Sequence, residues 1–189
     1  MARLTQVAHT QLSDTIQAGD YAIDATAGNG HDTLLLARLV GSAGRVLAID
    51  RQATALSTTQ QRLTIASLLD RVILTEGDHA NLLSLAPQDW QGHVQAIVFN
   101  LGYLPGSDKQ IITTAATTRS ALDACLQLLK PGGLLSLLIY RGHAGGHDEE
   151  VVILDWLETN ANHFSSLTWN DGDFPTADSP RLLNGVISI

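Results

Sequence analysis

The sequence has one cysteine, two lysines, five prolines and only 5% aromatic residues. The lone Cys125 closes no internal disulfide, which suits a reducing compartment. It stands inside an apolar helical pattern and reads as a small buried residue rather than a nucleophile. No stretch approaches the ~18 apolar residues of a spanning helix, and no charged segment followed by an apolar run opens the chain. An unexported, cytoplasmic protein with no membrane partner is expected. Basic charge is scarce too: the net charge is −8, with the arginines dispersed. That composition excludes the broad basic stripe of many nucleic-acid binders and leaves room for a local pocket taking one nucleotide, with a homodimer partner able to add basic groups.

What is present is aliphatic. The 189 residues are 44% hydrophobic, enough for a sizeable core. No repeat, low-complexity tract or proline-rich linker divides them, so one domain over residues 1–189 is expected. Apolar Leu4, Val7, Ala8, Leu12 and Ile16 predict an initial helix ending near Gly19, followed by a strand at Tyr21-Ala22-Ile23. A helix through Leu39, a strand over 45–50, a helix over 53–69 and a strand over 72–75 come next. A short helix over 81–85 and a loop over 87–92 lead to a fourth strand, 94–99, closing on Asn100. A helix over 111–129 breaks at Lys130-Pro131-Gly132-Gly133, before a strand over 134–140, a helix over 149–160 and strands near 164–169 and 183–189. Apolar strands alternating with helices imply an α/β fold: a doubly wound, mostly parallel seven-stranded sheet with helices on both faces and the last strand antiparallel. Ligands in such sheets bind at the carboxyl ends of the strands, near the switch in strand order. Asp24, Asp50, Asp78, Asn100 and Arg141 stand at those ends.

The stretch Asp24-Ala25-Thr26-Ala27-Gly28-Asn29-Gly30-His31-Asp32-Thr33 joins the first strand to the second helix. A strand, a glycine turn and a helix N-terminus in that order leave backbone N–H groups for a ligand's polar or anionic end. Gly28 and Gly30 permit φ > 0 and close approach; an ordinary strand-to-helix connection is the alternative. Asp50 falls about twenty residues on, where a carboxylate can accept from both ribose hydroxyls, although it can equally cap the next helix. Asp78 and His79, after the third strand, would then lie beside an adenine ring, or form a turn and cap. A dinucleotide site prefers a third small residue where this chain has Thr33, which weakens that reading. An acid at the strand end, a glycine turn and an acid ending the next strand instead suit S-adenosylmethionine.

The segment Phe99-Asn100-Leu101-Gly102-Tyr103-Leu104-Pro105-Gly106-Ser107-Asp108-Lys109, together with Asp24 to Thr33 and Tyr140-Arg141-Gly142-His143-Ala144-Gly145-Gly146, closely resembles the rRNA methylase family of Rossmann-like class I methyltransferases. Lys130-Pro131-Gly132-Gly133-Leu134 is similar to the segment before the fifth strand in that class. The resemblance runs from about His9 to Trp156. It departs at Thr26, where many class I enzymes have a glycine, and at Ser107 and Arg141, where this family often has Gly and His. It implies S-adenosyl-L-methionine as cofactor, held by Asp24, Thr26, Gly28, Asn29, Gly30, Asp32, Thr33, Asp50, Asp78, His79 and Asn100. Members of the MnmM type methylate 5-aminomethyl-2-thiouridine at the tRNA wobble position, so the anticodon stem-loop of tRNA is the implied partner.

Methylating an amine requires alignment and a neutral nitrogen. Asn100 is the leading substrate-positioning candidate, since its side-chain carbonyl can accept an amine N–H; a turn-forming role before Gly102 is the alternative. Tyr103 could border the base, and Asp108 could take the proton or pair with Lys109. Leu101, Gly102, Lys109, Arg141 and His143 complete the expected substrate contacts. His143 and His147, beside Asp148, Glu149 and Glu150, lie in a loop whose spacing fixes no ligand set, so no metal is expected. Glu149 and Glu150 are expected to favour the following helix's N-terminus. A methyltransferase for rRNA or a small molecule, an NAD-dependent oxidoreductase and a non-catalytic RNA-binding module are the alternatives.

Overall fold

The computed structural model describes residues 2–102, 112–173 and 175–188. Seven strands, β1 (Tyr21–Asp24), β2 (Arg45–Asp50), β3 (Val72–Glu76), β4 (Val94–Leu101), β5 (Leu129–Ile139), β6 (Phe164–Asn170) and β7 (Arg181–Ile187), form one sheet in the order β3-β2-β1-β4-β5-β7-β6. The first five run parallel, while β7 is antiparallel to both β5 and β6. This is the doubly wound sheet with an antiparallel last strand that the alternation of elements implies. Strand order reverses between β1 and β4, which opens a crevice above their carboxyl ends.

The helices α1 (Ala2–Thr15), α2 (His31–Leu39), α3 (Ala53–Ile65), α4 (Leu82–Leu85), α5 (Ala115–Leu128) and α6 (Gly146–Asn160) cover both faces. Successive strand residues point to opposite faces. Ala22, Val46, Ala96 and Val98 therefore pack under Leu12 of α1 and Ile16 just after it, Leu36 and Ala37 of α2 and Leu63 of α3. Ile23, Leu47, Ile97, Phe99 and Leu137 pack against Leu122 and Cys125 of α5 and Trp156 of α6. Burial on both faces explains why these strands read as continuous apolar runs. Cys125 is fully buried, and desolvation raises its thiol pKa, in keeping with an inert core residue.

Several boundaries move from the sequence expectation for local reasons. The third helix stops at Ile65 because Ser67 takes φ 57°, outside the helical range, although Leu68 and Leu69 prolong the apolar pattern. The fifth helix starts only at Ala115, where Thr114 and Thr117 form a reciprocal capping box. Lys130-Pro131-Gly132-Gly133 does not separate helix from strand, since β5 already begins at Leu129. The sixth helix starts at Gly146, three residues before the expected Glu149, with Gly145 in the left-handed conformation at its cap.

Candidate functional site

At the carboxyl end of β1 the chain turns through Thr26 to Gly30 into α2. Asp24 is fully buried; its Oδ1 accepts the Thr26 N–H (3.2 Å) and its Oδ2 the Thr33 hydroxyl (2.6 Å). Burial, with the nearby charge of Asp32, pushes its carboxyl pKa up to about 7. The turn is thus folded around a carboxylate that faces the turn's own donors. Gly30 caps α2 with φ 75°, and a Cβ there would lie 2.7 Å from Thr59 Oγ1 and 2.9 Å from Thr59 Cα. Both conformation and space require glycine. The α3 helix pins the turn from outside: Thr59 Oγ1 donates to the Gly28 carbonyl (3.1 Å) and Arg62 Nε to that of Asn29 (2.8 Å).

Asp50, ending β2, accepts the Gly28 N–H through Oδ2 (2.8 Å) and the Gln52 N–H through Oδ1 (2.9 Å). Asp50 is not itself the N-cap of α3, which is Gln52, but its side chain holds that residue's N–H at the start of the helix. A carboxylate offers about four lone-pair positions, so two remain for hydroxyl donors. Asp78 accepts the Ala80 N–H (2.9 Å) and approaches Arg51 Nε (3.5 Å). His79 is buried edge-on to Phe99, with ring centroids 6.0 Å apart; burial lowers its pKa, and among the described residues its Nε2 meets no hydrogen-bond partner.

Asn100 lies across the turn on β4. Its N–H donates to Thr26 Oγ1 (2.7 Å), and its Nδ2 donates to Asp32 Oδ2 (2.5 Å). Asp32 Oδ1 in turn meets His9 Nε2 at 2.5 Å. Despite burial, which opposes ionisation, the bonds from His9 and Asn100 hold the Asp32 carboxyl below its ordinary range. Tyr140, at the end of β5, is held above the usual phenol range by burial and by the Asp32 charge. Thr5 and His9 escaped sequence reasoning; the signal available was their spacing of four on α1, which puts them on one flank of the helix.

The β5–α6 loop carries the other expected site residues. Arg141 Nε donates to the Ser179 carbonyl (2.7 Å), Nη2 to that of Thr176 (3.1 Å) and Nη1 to Glu150 Oε2 (3.4 Å). Glu150 also pairs with Arg181 (2.8 Å), which stacks over Trp169 and reaches Asp171 (2.6 Å). Glu149 accepts from the hydroxyls of Thr113 (2.8 Å) and Thr118 under complete burial, which raises its pKa. Glu149 stands in the first turn of α6, as expected for the helix N-terminus, and both glutamates also serve tertiary contacts. Leu101 is buried at the end of β4, and a Cβ on Gly102 would come 3.5 Å from His143 Nε2, so strand end and loop are in close contact. His147 lies in the first turn of α6 and meets Asp178 (3.1 Å). Among the described residues no cluster of metal-ligating side chains occurs, and no helix is long and apolar enough to cross a membrane. Tyr103, Asp108 and Lys109 lie outside the described residues.

This architecture has solved relatives. A "putative rRNA-methylase" of Clostridium thermocellum superposes with a TM-score of 0.89 at 34% identity, covering 98% of this chain and 97% of that one. A methyltransferase of Streptococcus mutans, crystallised with SAH, gives 0.84 at 29% identity, with 97% of both chains covered. The chain is also 41% identical to the chloroplastic tRNA (mnm(5)s(2)U34)-methyltransferase of Arabidopsis thaliana over 80% of its own length, and spans 57% of that relative. The family model described as "Putative rRNA methylase" matches residues 46–173, more than half of the sequence. The chain belongs to the rRNA methylase family.

Proposed function

We propose that the protein is an S-adenosylmethionine-dependent RNA methyltransferase whose acceptor is the 5-aminomethyl nitrogen of 5-aminomethyl-2-thiouridine at the tRNA wobble position. The observation that carries the reading is Asn100. Its amide stands at the carboxyl end of β4, beside the glycine turn, with its donor side bound to Asp32. An amide held in that sense has its carbonyl oxygen left for an N–H of the acceptor. The SAH complex of the Streptococcus mutans relative and the wobble-uridine acceptor in the Arabidopsis relative's name support the cofactor and the substrate respectively.

The residues fit the cofactor. Asp50, with two lone-pair positions remaining, would hold the ribose hydroxyls; Asp78 and the buried His79 would border the adenine; the polar tail would lie along the Gly28 to Gly30 turn. When bound, S-adenosylmethionine supplies an electrophilic methyl group on a sulfonium that departs as a neutral thioether. The chain's own contribution is orientation and proton control. Asn100 Oδ1 accepts one amine N–H and so aims the nitrogen lone pair, and alignment of this kind is worth ~7 to 11 kcal/mol. With the lysine amine as an upper guide, deprotonation at pH 7 costs up to ~4.6 kcal/mol, so the site must favour the neutral amine. A site that excludes water disfavours the ammonium form.

The test is incubation with labelled S-adenosylmethionine and tRNA carrying 5-aminomethyl-2-thiouridine, followed by mass spectrometry of the nucleosides. The 5-methylaminomethyl product is expected. Unchanged tRNA alongside methylated rRNA would move the acceptor to rRNA, and tight nicotinamide binding without S-adenosylmethionine binding would replace the reaction class.

A further inference from the structure

We propose that His9 is a positioning residue for methyl transfer: by donating from Nε2 to Asp32 Oδ1 it fixes the carboxylate that holds the Asn100 amide with its oxygen toward the acceptor. The inference rests on the methyltransferase reading above and adds α1 to the working parts of the site.

Three elements converge here. His9 comes from α1, Asp32 from the first turn of α2 and Asn100 from the end of β4, with both contacts to Asp32 at 2.5 Å. An ionised carboxylate only accepts, so it receives Nδ2 of Asn100 and cannot receive Oδ1. Asp32 therefore decides which way the amide points. A carboxylate with one hydrogen bond can still swing about its own bond to Cβ. With His9 on one oxygen and Asn100 on the other, it is held at both ends. The hold is charge-assisted, since burial alone would push Asp32 toward its neutral form, and a neutral acid could donate to Oδ1 and reverse the amide.

His9 acts through Asp32 rather than on the acceptor. The cavity that Thr5, His9, Asp32, Asn100 and Ser136 help to line has a volume of about 10 Å³. That is room for about one water and none for a nucleobase. The groups facing His9 and Asp32 are the Thr5 hydroxyl on α1, His31 on α2, Asn100 on β4, the Tyr140 phenol just after β5 and, against Asp32, the buried Asp24 carboxyl at the end of β1. Asp32 is the carboxylate that His9 meets directly, and its hydrogen bond and charge raise the His9 imidazole above its ordinary pKa against the opposing effect of burial.

Two variants separate positioning from mere packing. His9→Leu keeps an apolar volume and removes the donor, whereas His9→Gln keeps a donor. For His9→Leu, kcat should fall about tenfold with S-adenosylmethionine affinity by calorimetry within about twofold of wild type, and His9→Gln should recover most of the loss. The side-chain amide resonances of Asn100, identified by their disappearance in Asn100→Ala, should shift in His9→Leu and in Asp32→Asn. By NMR titration, His9 should return toward its ordinary pKa in Asp32→Asn. Unmoved Asn100 resonances would overturn the proposal, as would a His9→Gln variant no more active than His9→Leu. If wild-type protein leaves the wobble tRNA unmethylated, the acceptor assignment fails, and the amide resonances and the His9 titration still decide whether the three residues are coupled.

Discussion

The β1–α2 turn and the β5–α6 loop both close the same end of the sheet, yet they hold charge in different ways. In the turn, Asp24, Asp32 and Asp50 are met by backbone N–H groups, a hydroxyl, an amide and a histidine, and among the described residues no lysine or arginine pairs with any of them. In the loop, Arg141 and Arg181 share Glu150, and Arg181 takes Asp171 as well. A carboxylate-rich pocket suits a ligand with hydroxyl donors and a positive sulfonium centre. A neutralised arginine network suits bracing of the chain between α6 and β7 and leaves little free charge for a phosphate. The difference suits the turn to the proposed cofactor and the arginine network to bracing.

The largest expected effect breaks the turn. Gly30→Val puts a branched side chain at positive φ against Thr59, and should cost about 3 kcal/mol or more of stability together with cofactor binding, as read by urea unfolding and calorimetry. Unchanged unfolding would mean that the α3 side gives way easily. On the loop side, Glu150→Ala removes the acceptor shared by two part-buried arginines and should cost about 2 kcal/mol with cofactor affinity unchanged. Arg141→Gln then sharpens the contrast. A flatter salt dependence of tRNA binding in that variant would return Arg141 to phosphate contact. Next in size, Asp50→Ala should weaken S-adenosylmethionine binding by about tenfold, through loss of the ribose acceptor and of the bond to Gly28. Equal affinity in variant and wild type would remove Asp50 from the ribose role.

The same contrast explains what could be read from the sequence. The parallel strands, the glycine turn and Asp50 were legible because each is local: an apolar run, a pair of glycines, an acid at a strand end. The partners were not. His9 finds Asp32 across 23 positions, and Glu149 finds Thr118 on α5 and Thr113 just before that helix, so neither pairing leaves a periodic trace. Arg141 stood in the right loop, but its competition with Ser179, Thr176 and Glu150 became visible only once β7 lay antiparallel beside β5. Helix ends failed for a smaller reason. Ser67 at φ 57° and the Thr114–Thr117 cap terminate helices whose apolar spacing runs on past them.

The smallest effect is a pH dependence carried by Asp24. Its carboxyl is raised to about 7 in the folded chain, against an ordinary value of 3.8. Between those values the folded state binds a proton that the unfolded chain has already lost, so stability falls as pH rises. Below the ordinary value both states are protonated, and no further change arises from this group. Between pH 6 and pH 7 the loss is about 1 kcal/mol from linkage alone. His9, also raised in the folded state, loses its contribution in the same direction as pH climbs past its folded pKa, so wild-type curves alone do not separate the two. Asp24→Asn does: it keeps a carbonyl to accept and removes the titration, and urea midpoints compared across this range should fall less steeply in the variant. An equal slope in both proteins would place the titration at His9 and leave Asp24 ionised inside the turn.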